Sequence, residues 1–91
     1  MAKEPATDPD IRKVRKVLRT ATLPQGVSET DVELYEDWTG DPSIRIWLTI
    51  KDQLNPSDEY IAKLTEDIER LRTSILRAGV QRFPYIRLRA A

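Results

Sequence analysis

Residues 44–51 constrain the fold more than any other part of the chain, because apolar and polar side chains alternate there without a break. The even-numbered positions carry aliphatic residues: Ile44, Ile46, Leu48 and Ile50. The odd-numbered positions carry charged, polar or amphipathic residues: Arg45, Trp47, Thr49 and Lys51. A period of two predicts a strand with one buried face and one solvated face. Other elements must therefore cover the aliphatic side.

An amphipathic helix is predicted near the start of the chain. Asp8 is a suitable N-cap because its carboxylate can accept hydrogen bonds from free first-turn N–H groups, and Pro9 suits the first helical position. The residues that recur at helical spacing on its apolar side are Ile11, Val14, Val17 and Leu18. The segment 23–26 contains Pro and Gly and ends the helix.

A second, longer helix is predicted after the alternating strand. Asn55 is expected to be its N-cap and Pro56 its first residue, and Gly79 is placed to end it in a left-handed conformation. Its apolar positions are spaced by three and four residues: Ile61, Leu64, Ile68, Leu71, Ile75 and Ala78. One helix lying across a sheet explains this spacing better than a coiled coil, because the pattern lasts for little more than two heptads.

Two more strands are predicted from shorter alternating segments. The first places Val32, Leu34 and Trp38 on one side, and Glu36 breaks the apolar parity, so we expect an irregularity near Trp38. A turn at residues 39–42 joins it to the strand at 44–51. The last strand covers residues 83–89, and Pro84 favours an edge strand or a strand start because it lacks an N–H.

These elements predict one α+β domain over residues 8–91, preceded by a disordered tail at residues 1–7. The order is α-β-β-α-β, and both helices would cover one face of a three-stranded mixed or antiparallel sheet in a two-layer sandwich. The outer face of the first strand is acidic, whereas those of the second and third are basic. Because opposite charges stabilise neighbouring strands, we predict the spatial order 2-1-3.

The composition argues against the common chemistries. The chain has no Cys and no His, so it lacks thiolate ligands, a thiol nucleophile and the commonest general base. The three Gly residues each mark an element boundary, so no Gly-rich loop can hold a phosphate. Clustered carboxylates such as Asp58 and Glu59 belong on a solvated helix surface. We therefore expect a protein that is not an enzyme and that uses no cofactor, no metal and no small-molecule substrate.

Membrane association is not expected either. The segment 1–5 has no apolar stretch of the kind that a secretory signal peptide requires, and no apolar run elsewhere is long enough to span a bilayer. The basic first helix has only four aliphatic residues, and they are needed for the core. We expect a cytoplasmic protein.

Charge is segregated along the chain although the net charge is zero. Residues 11–20 carry five basic side chains and no acid, residues 21–44 carry six acids and no base, and residues 70–91 carry six arginines and no acid. Such blocks are typical of solvated faces that complement each other within one fold, and this is how we interpret them.

The side of the sheet that no predicted helix covers is the one candidate site. We call it the open face and define it by six residues that share the outward parity: Tyr35, Arg45, Trp47, Tyr85, Arg87 and Arg89. Cross-strand aromatic pairs on a solvated face explain the same pattern, so a purely structural role stays open. Tyr, Trp and Arg are also enriched at the energetic centres of protein interfaces.

The leading hypothesis from the sequence is a protein-interaction module that uses the open face, either as a homodimer or as an accessory subunit. The alternative is a domain that binds single-stranded nucleic acid on the same face, with bases stacked on the aromatics and phosphates near the arginines. Glu33 and Asp37 would lie on that surface and repel a phosphate backbone. The sequence therefore favours a protein partner over a nucleic acid.

Overall fold

The computed structural model describes residues 8–51 and 56–91. The elements are α1 (Pro9–Thr20), β1 (Val27–Glu36), β2 (Pro42–Ile50), α2 (Asp58–Arg77) and β3 (Phe83–Ala90). This confirms the α+β class and the α-β-β-α-β order. The tail predicted at residues 1–7 lies outside the described residues.

The three strands form one mixed sheet in the order β1-β2-β3, with β1 antiparallel and β3 parallel to β2. The predicted order 2-1-3 is wrong, because β2 lies in the centre. Three inward residues of β2, Ile44, Ile46 and Leu48, are fully buried. Each such burial contributes about 1.5–3 kcal/mol, whereas a cross-strand charge pair contributes about 0.2–1 kcal/mol. The free energy gained by placing the most apolar strand in the centre is therefore larger than the free energy gained by placing the acidic strand there.

One hydrophobic core joins the helices to the sheet. Both helices supply it, with Leu18 from α1 and Ile75 from α2 among the buried residues, and Ile86 of β3 packs against it from the edge. The full buried set is Ile11, Val14, Leu18, Val32, Ile44, Ile46, Leu48, Leu71, Ile75 and Val80. Two inward residues of the edge strands, Leu34 and Leu88, remain 42% exposed. The core therefore thins toward both edges of the sheet.

A buried ionic network fastens the start of α1 to the segment before β3. Asp8 is the N-cap of α1, as predicted, and its Oδ1 accepts hydrogen bonds from the backbone N–H groups of Asp10 and Ile11. The guanidinium of Arg82 donates to both oxygens of Asp8, at 2.9 and 3.0 Å. Burial alone would raise the pKa of Asp8, but the hydrogen bonds from Arg82 and Ile11 outweigh it and hold that pKa below its ordinary value.

Asp10 completes this network from the first turn of α1. Its carboxylate accepts hydrogen bonds from the backbone N–H groups of Gln81 and Arg82, at 3.0 and 3.1 Å. It also lies 3.2 Å from the Arg82 guanidinium. One side chain thus satisfies two main-chain donors about seventy residues further along the chain.

The hairpin between β1 and β2 differs from its prediction. β1 ends at Glu36, and Trp38 lies in the turn with 93% of its surface exposed, so its predicted place on the apolar side is wrong. The irregularity in β1 lies between Val27 and Glu29 rather than near Trp38. Asp37 holds the turn, because its Oδ1 accepts hydrogen bonds from Thr39 and from the N–H of Asp41.

Helix α2 begins later than predicted. Its N-cap is Ser57, whose hydroxyl accepts from the N–H of Tyr60; Asn55, the predicted cap, lies outside the described residues. Only Leu71 and Ile75 of the predicted apolar seam are buried. Gly79 follows the helix with a φ of +91°, as the prediction of a left-handed ending requires.

At the edge of the sheet, Pro84 is the second residue of β3, in agreement with its prediction. The N–H of Ala91 bonds to the carbonyl of Ile50, so N–H groups at odd positions of this segment face β2. Pro84 is at an even position, so the backbone N–H that it lacks would not have bonded to β2. Among the described residues, neither helix is long and apolar enough to cross a lipid bilayer.

Replacing Asp10 by Ala tests the buried network. The change leaves two partly buried N–H groups without a partner, so we expect the free energy of unfolding to fall by about 2–4 kcal/mol. Asp58→Ala is the matched control, since Asp58 is also a first-turn acid but is exposed; its cost should stay below about 1 kcal/mol. Chemical denaturation measures both, and equal losses would contradict a special role for Asp10.

The charge of Asp8 can be tested separately through pH. Because the folded-state pKa of Asp8 is below its ordinary value of 3.8, its stabilising effect is complete at neutral pH and is lost as the pH falls through that region. Asp8→Asn keeps a good N-cap but removes the charge. We expect its free energy of unfolding to fall less steeply than the wild type's below about pH 5. Parallel curves in acid denaturation would show that the Arg82 contact contributes nothing through charge.

Candidate functional site: the open face

All six predicted residues of the open face lie on the same side of the sheet. Cross-strand register places them in rows. One row runs Asp31–Trp47–Arg87 across the three strands, and the next runs Glu33–Arg45–Tyr85. Since β2 is central, Arg45 and Trp47 stand in the middle of the face rather than at its margin.

Glu33 is the centre of the polar contacts on this face. Its Oε2 accepts a hydrogen bond from Arg45 Nε at 2.7 Å and another from the Trp47 indole N–H at 2.8 Å. The Arg45 hydrogen bond, followed by that of Trp47, lowers the pKa of Glu33, and the same contact raises the pKa of Arg45. The carboxylate therefore stays ionised and fixes both neighbouring side chains.

Arginine side chains lie over the aromatic rings. The guanidinium of Arg45 is 4.3 Å from the ring centroid of Tyr35 and 5.2 Å from that of Trp47. Arg89 also lies 5.2 Å from the Trp47 ring centroid, and its Nε donates to Thr49. Cation–π contacts of this kind contribute about 0.5–1 kcal/mol at exposed sites. They leave the rings half-buried instead of freely presented to solvent.

A smaller aromatic cluster lies at the end of the face nearest the hairpin. The Tyr85 ring meets Tyr35 edge-on at 5.9 Å between centroids and Phe83 at 4.8 Å. Its hydroxyl donates to Asp37 Oδ2 at 3.1 Å. Burial, and then the bond to this carboxylate, raises the pKa of Tyr85 above its ordinary value, whereas the pKa of Asp37 is lowered, chiefly by its bond from the Thr39 hydroxyl.

Two residues differ from the rest of the face. Arg87 is exposed and has no ion-pair partner among the described residues, so of the six predicted positions it is the most available to another molecule. Phe83 belongs to the open face but was not predicted there, and it is 48% exposed. Its parity with Tyr85 was the signal that could have identified it.

The charged side chains of the open face can be sorted by their partners. Arg45 is paired with Glu33 and Arg89 with Asp31, whereas Arg87 has no such partner among the described residues. Within residues 8–51 and 56–91, no cluster of three or more acidic side chains could hold a metal ion. In the part of the chain that the structure describes, the face therefore combines aromatic surface, ordered charge pairs and an exposed arginine, Arg87.

Three comparisons with known proteins give no match: no family model, no curated protein and no solved structure is similar to this chain. The geometry of the chain itself is therefore the basis for inferring its function.

The bond between Tyr85 and Asp37 gives a spectroscopic prediction. An adjacent carboxylate disfavours the phenolate, so Asp37→Asn should lower the pKa of Tyr85 toward its ordinary value of 10.0. Alkaline titration of tyrosine absorbance measures this, and subtraction of the Tyr85→Phe curve isolates the residue. Glu36→Gln is the control because it removes one charge from an exposed neighbour. An unchanged Tyr85 titration in Asp37→Asn would contradict the contact.

Proposed function

We propose that this chain is a non-catalytic protein-interaction module and that its open face binds a second copy of the chain. The observation that carries the proposal is the charge gradient across the face. Acidic side chains of outward parity follow β1, at Glu29, Asp31 and Glu33, whereas β3 carries Arg87 and Arg89 at the opposite margin. Half-buried aromatic rings lie between these margins.

When one kind of two-fold axis relates two copies of the chain, the charge gradient places the acidic margin of each copy against the basic margin of the other. When two sheets pack face to face, a two-fold axis parallel to the strands places β1 of one copy over β3 of the other. The rows stay level, so Asp31 meets Arg87 of the second copy and Glu29 meets Arg89. A two-fold axis across the strands would place β1 over β1, with like charges opposed. Electrostatics therefore favours the two-fold axis that runs parallel to the strands, which we call the parallel axis.

The middle of the face also suits this arrangement. Trp47 lies on β2, which the parallel axis places over its own copy, so two indole rings would meet near the centre. Arg45 would also meet its symmetry mate there, but Glu33 already neutralises it within each copy. Because these side chains are held by contacts within the free chain, ordering them on binding costs little conformational entropy.

The area of the open face limits the affinity that we expect for the dimer. Three strands about 4.8 Å apart and eight residues of about 3.3 Å each cover roughly 380 Å² in projection. A stable interface buries about 800 Å² on each partner. A dimer formed by this face alone is therefore weak and reversible, and its charge pairs make it weaker at high salt.

Nucleic acid is a poorer match to the same surface. Base stacking needs free aromatic faces, but guanidinium groups lie over Tyr35 and Trp47. Glu33 is held ionised on β1, beside Arg45 and Trp47, where it would repel phosphates. These contacts argue for a protein partner over the single-stranded nucleic acid considered from the sequence.

Reversing the Asp31–Arg87 pair tests the proposal. Asp31→Arg and Arg87→Asp each oppose like charges twice per dimer, so we expect each variant alone to self-associate at least about tenfold more weakly than the wild type. An equimolar mixture should recover association, because both junctions then pair opposite charges. Analytical ultracentrifugation over a wide protein concentration range, at low and high salt, measures this.

Arg77→Glu is the control, since this exposed residue lies at the end of α2 and away from the open face. It should associate like the wild type. A wild type that stays monomeric at millimolar concentration and low salt would overturn the second copy as the partner. So would a mixture of the two reversed variants that fails to recover association. Quenching of tryptophan fluorescence by an oligonucleotide at low salt would favour the alternative function.

A further inference from the structure

A second surface, which adjoins the open face at Asp31, lies where helix α1 stands beside the outer edge of β1. Among the described residues, β1 pairs with β2 on one side and with no strand on the other. The N–H of Val32 bonds to the carboxylate of its neighbour Asp31, at 3.0 Å, rather than to a carbonyl of β2. Since backbone groups alternate sides along a strand, those of Thr30, Val32 and Leu34 face away from the sheet.

A groove of about 270 Å³ runs between this edge and α1. We call it the α1–β1 groove, and its lining residues are Arg15, Leu18, Arg19, Thr30, Asp31 and Val32. Leu18 and Val32 are buried and form an apolar floor. Arg15 and Arg19 are exposed and lie one turn apart on the helix wall. The groove thus combines unpaired strand backbone, an apolar floor and positive charge.

The positive charge on α1 is not neutralised nearby. No acid occurs between residues 11 and 28, and within the described residues none of the five basic side chains of α1 has a carboxylate oxygen within 4.0 Å. Most other arginines do have such a partner: Arg45, Arg70, Arg72, Arg82 and Arg89. Four of the α1 residues form one stripe, at Arg12, Arg15, Lys16 and Arg19.

From this geometry we infer that the α1–β1 groove binds an extended acidic peptide segment of a partner protein, which adds to β1 as a fourth strand. Strand addition satisfies the outward backbone groups of Thr30, Val32 and Leu34. The peptide side chains that face α1 meet Arg15 and Arg19, so these positions should be acidic. Those that face the other way continue the acidic margin of β1, so they should be neutral or basic. The expected ligand alternates with a period of two.

Other occupants fit the groove less well. The phosphates of a nucleic acid can accept from strand N–H groups, but they offer no donor for the outward carbonyls of β1, and they would meet Asp31. Lipid is excluded from the helix's apolar side, because Ile11, Val14 and Leu18 are buried in the core. A second copy pairing β1 with β1 would oppose acids across the new strand pair. An extended acidic peptide can pair with the outward backbone groups of β1, cover the apolar floor and meet the positive charge of α1.

Asp31 protects the edge while the groove is empty. Its Oδ1 accepts the Val32 N–H, which would otherwise be an unpaired donor on a free strand edge. Its other oxygen lies 3.8 Å from Arg89. An incoming strand must displace the first contact, and Arg89 then offers the carboxylate an alternative partner. The displaced bond makes peptide binding selective for segments that can replace it with their own carbonyl.

The test uses the full chain and a fluorescein-labelled decapeptide of alternating Glu and Thr, followed by fluorescence anisotropy. Arg15→Ala with Arg19→Ala should weaken binding by at least about tenfold. Arg12→Ala with Lys16→Ala is the matched control, because it removes the same charge from the same stripe outside the groove. Its effect should be less than about threefold. Equal effects of the two pairs would overturn the groove as the binding site.

A second measurement tests the strand pairing itself. Amide hydrogen exchange followed by NMR should show new protection of the Val32 N–H when the alternating peptide binds. A decapeptide that is N-methylated at every second residue keeps its charge but cannot pair along the edge, and it should bind at least about tenfold more weakly. No binding of the unmodified peptide at low salt, no gain in protection, or equal affinity of the methylated peptide would each overturn the proposal.

Discussion

The central position of β2 is the constraint on which the rest of this structure depends. Its inward side chains form the middle of the core, and its outward residues Ser43 and Thr49 are also buried, at 1% and 6% exposure. β2 is hydrogen-bonded to a neighbour on each side, so β1 and β3 are the two edge strands of the described sheet. The free edge of β1 and the row order of the open face both follow from that placement.

The open face shows how the outward side of a sheet can be ordered by its own side chains. Glu33 fixes Arg45 and Trp47, and Asp37 fixes Tyr85 while it also holds the hairpin turn. These contacts stabilise the fold, and they also hold aromatic surface and charge in place for a partner. A structural role and a binding role are therefore compatible, and the second depends on the rigidity that the first provides.

Charge segregation along the chain has two different outcomes in space. The carboxylates of Asp8 and Asp10 both pair with Arg82, which lies near the opposite end of the described chain. The basic block on α1 does not meet the acidic block of β1 in any described ion pair, although the two elements are neighbours. Charged blocks of the sequence can thus pair with each other at one place in the fold, whereas at another place they have no described ion-pair partner and can meet a binding partner.

The sequence by itself determined the five elements, their order and the outward parity of the open face, because periodicity and capping are local properties of the chain. It also located Asp8 as a cap and Gly79 as a helix end. Strand order was decided only by the tertiary structure. Local charge patterns favoured β1 in the centre, but burial of Ile44, Ile46 and Leu48 is worth several times more than cross-strand charge pairs. The Asp10–Arg82 contact was equally beyond local reasoning, since it joins residues 72 positions apart.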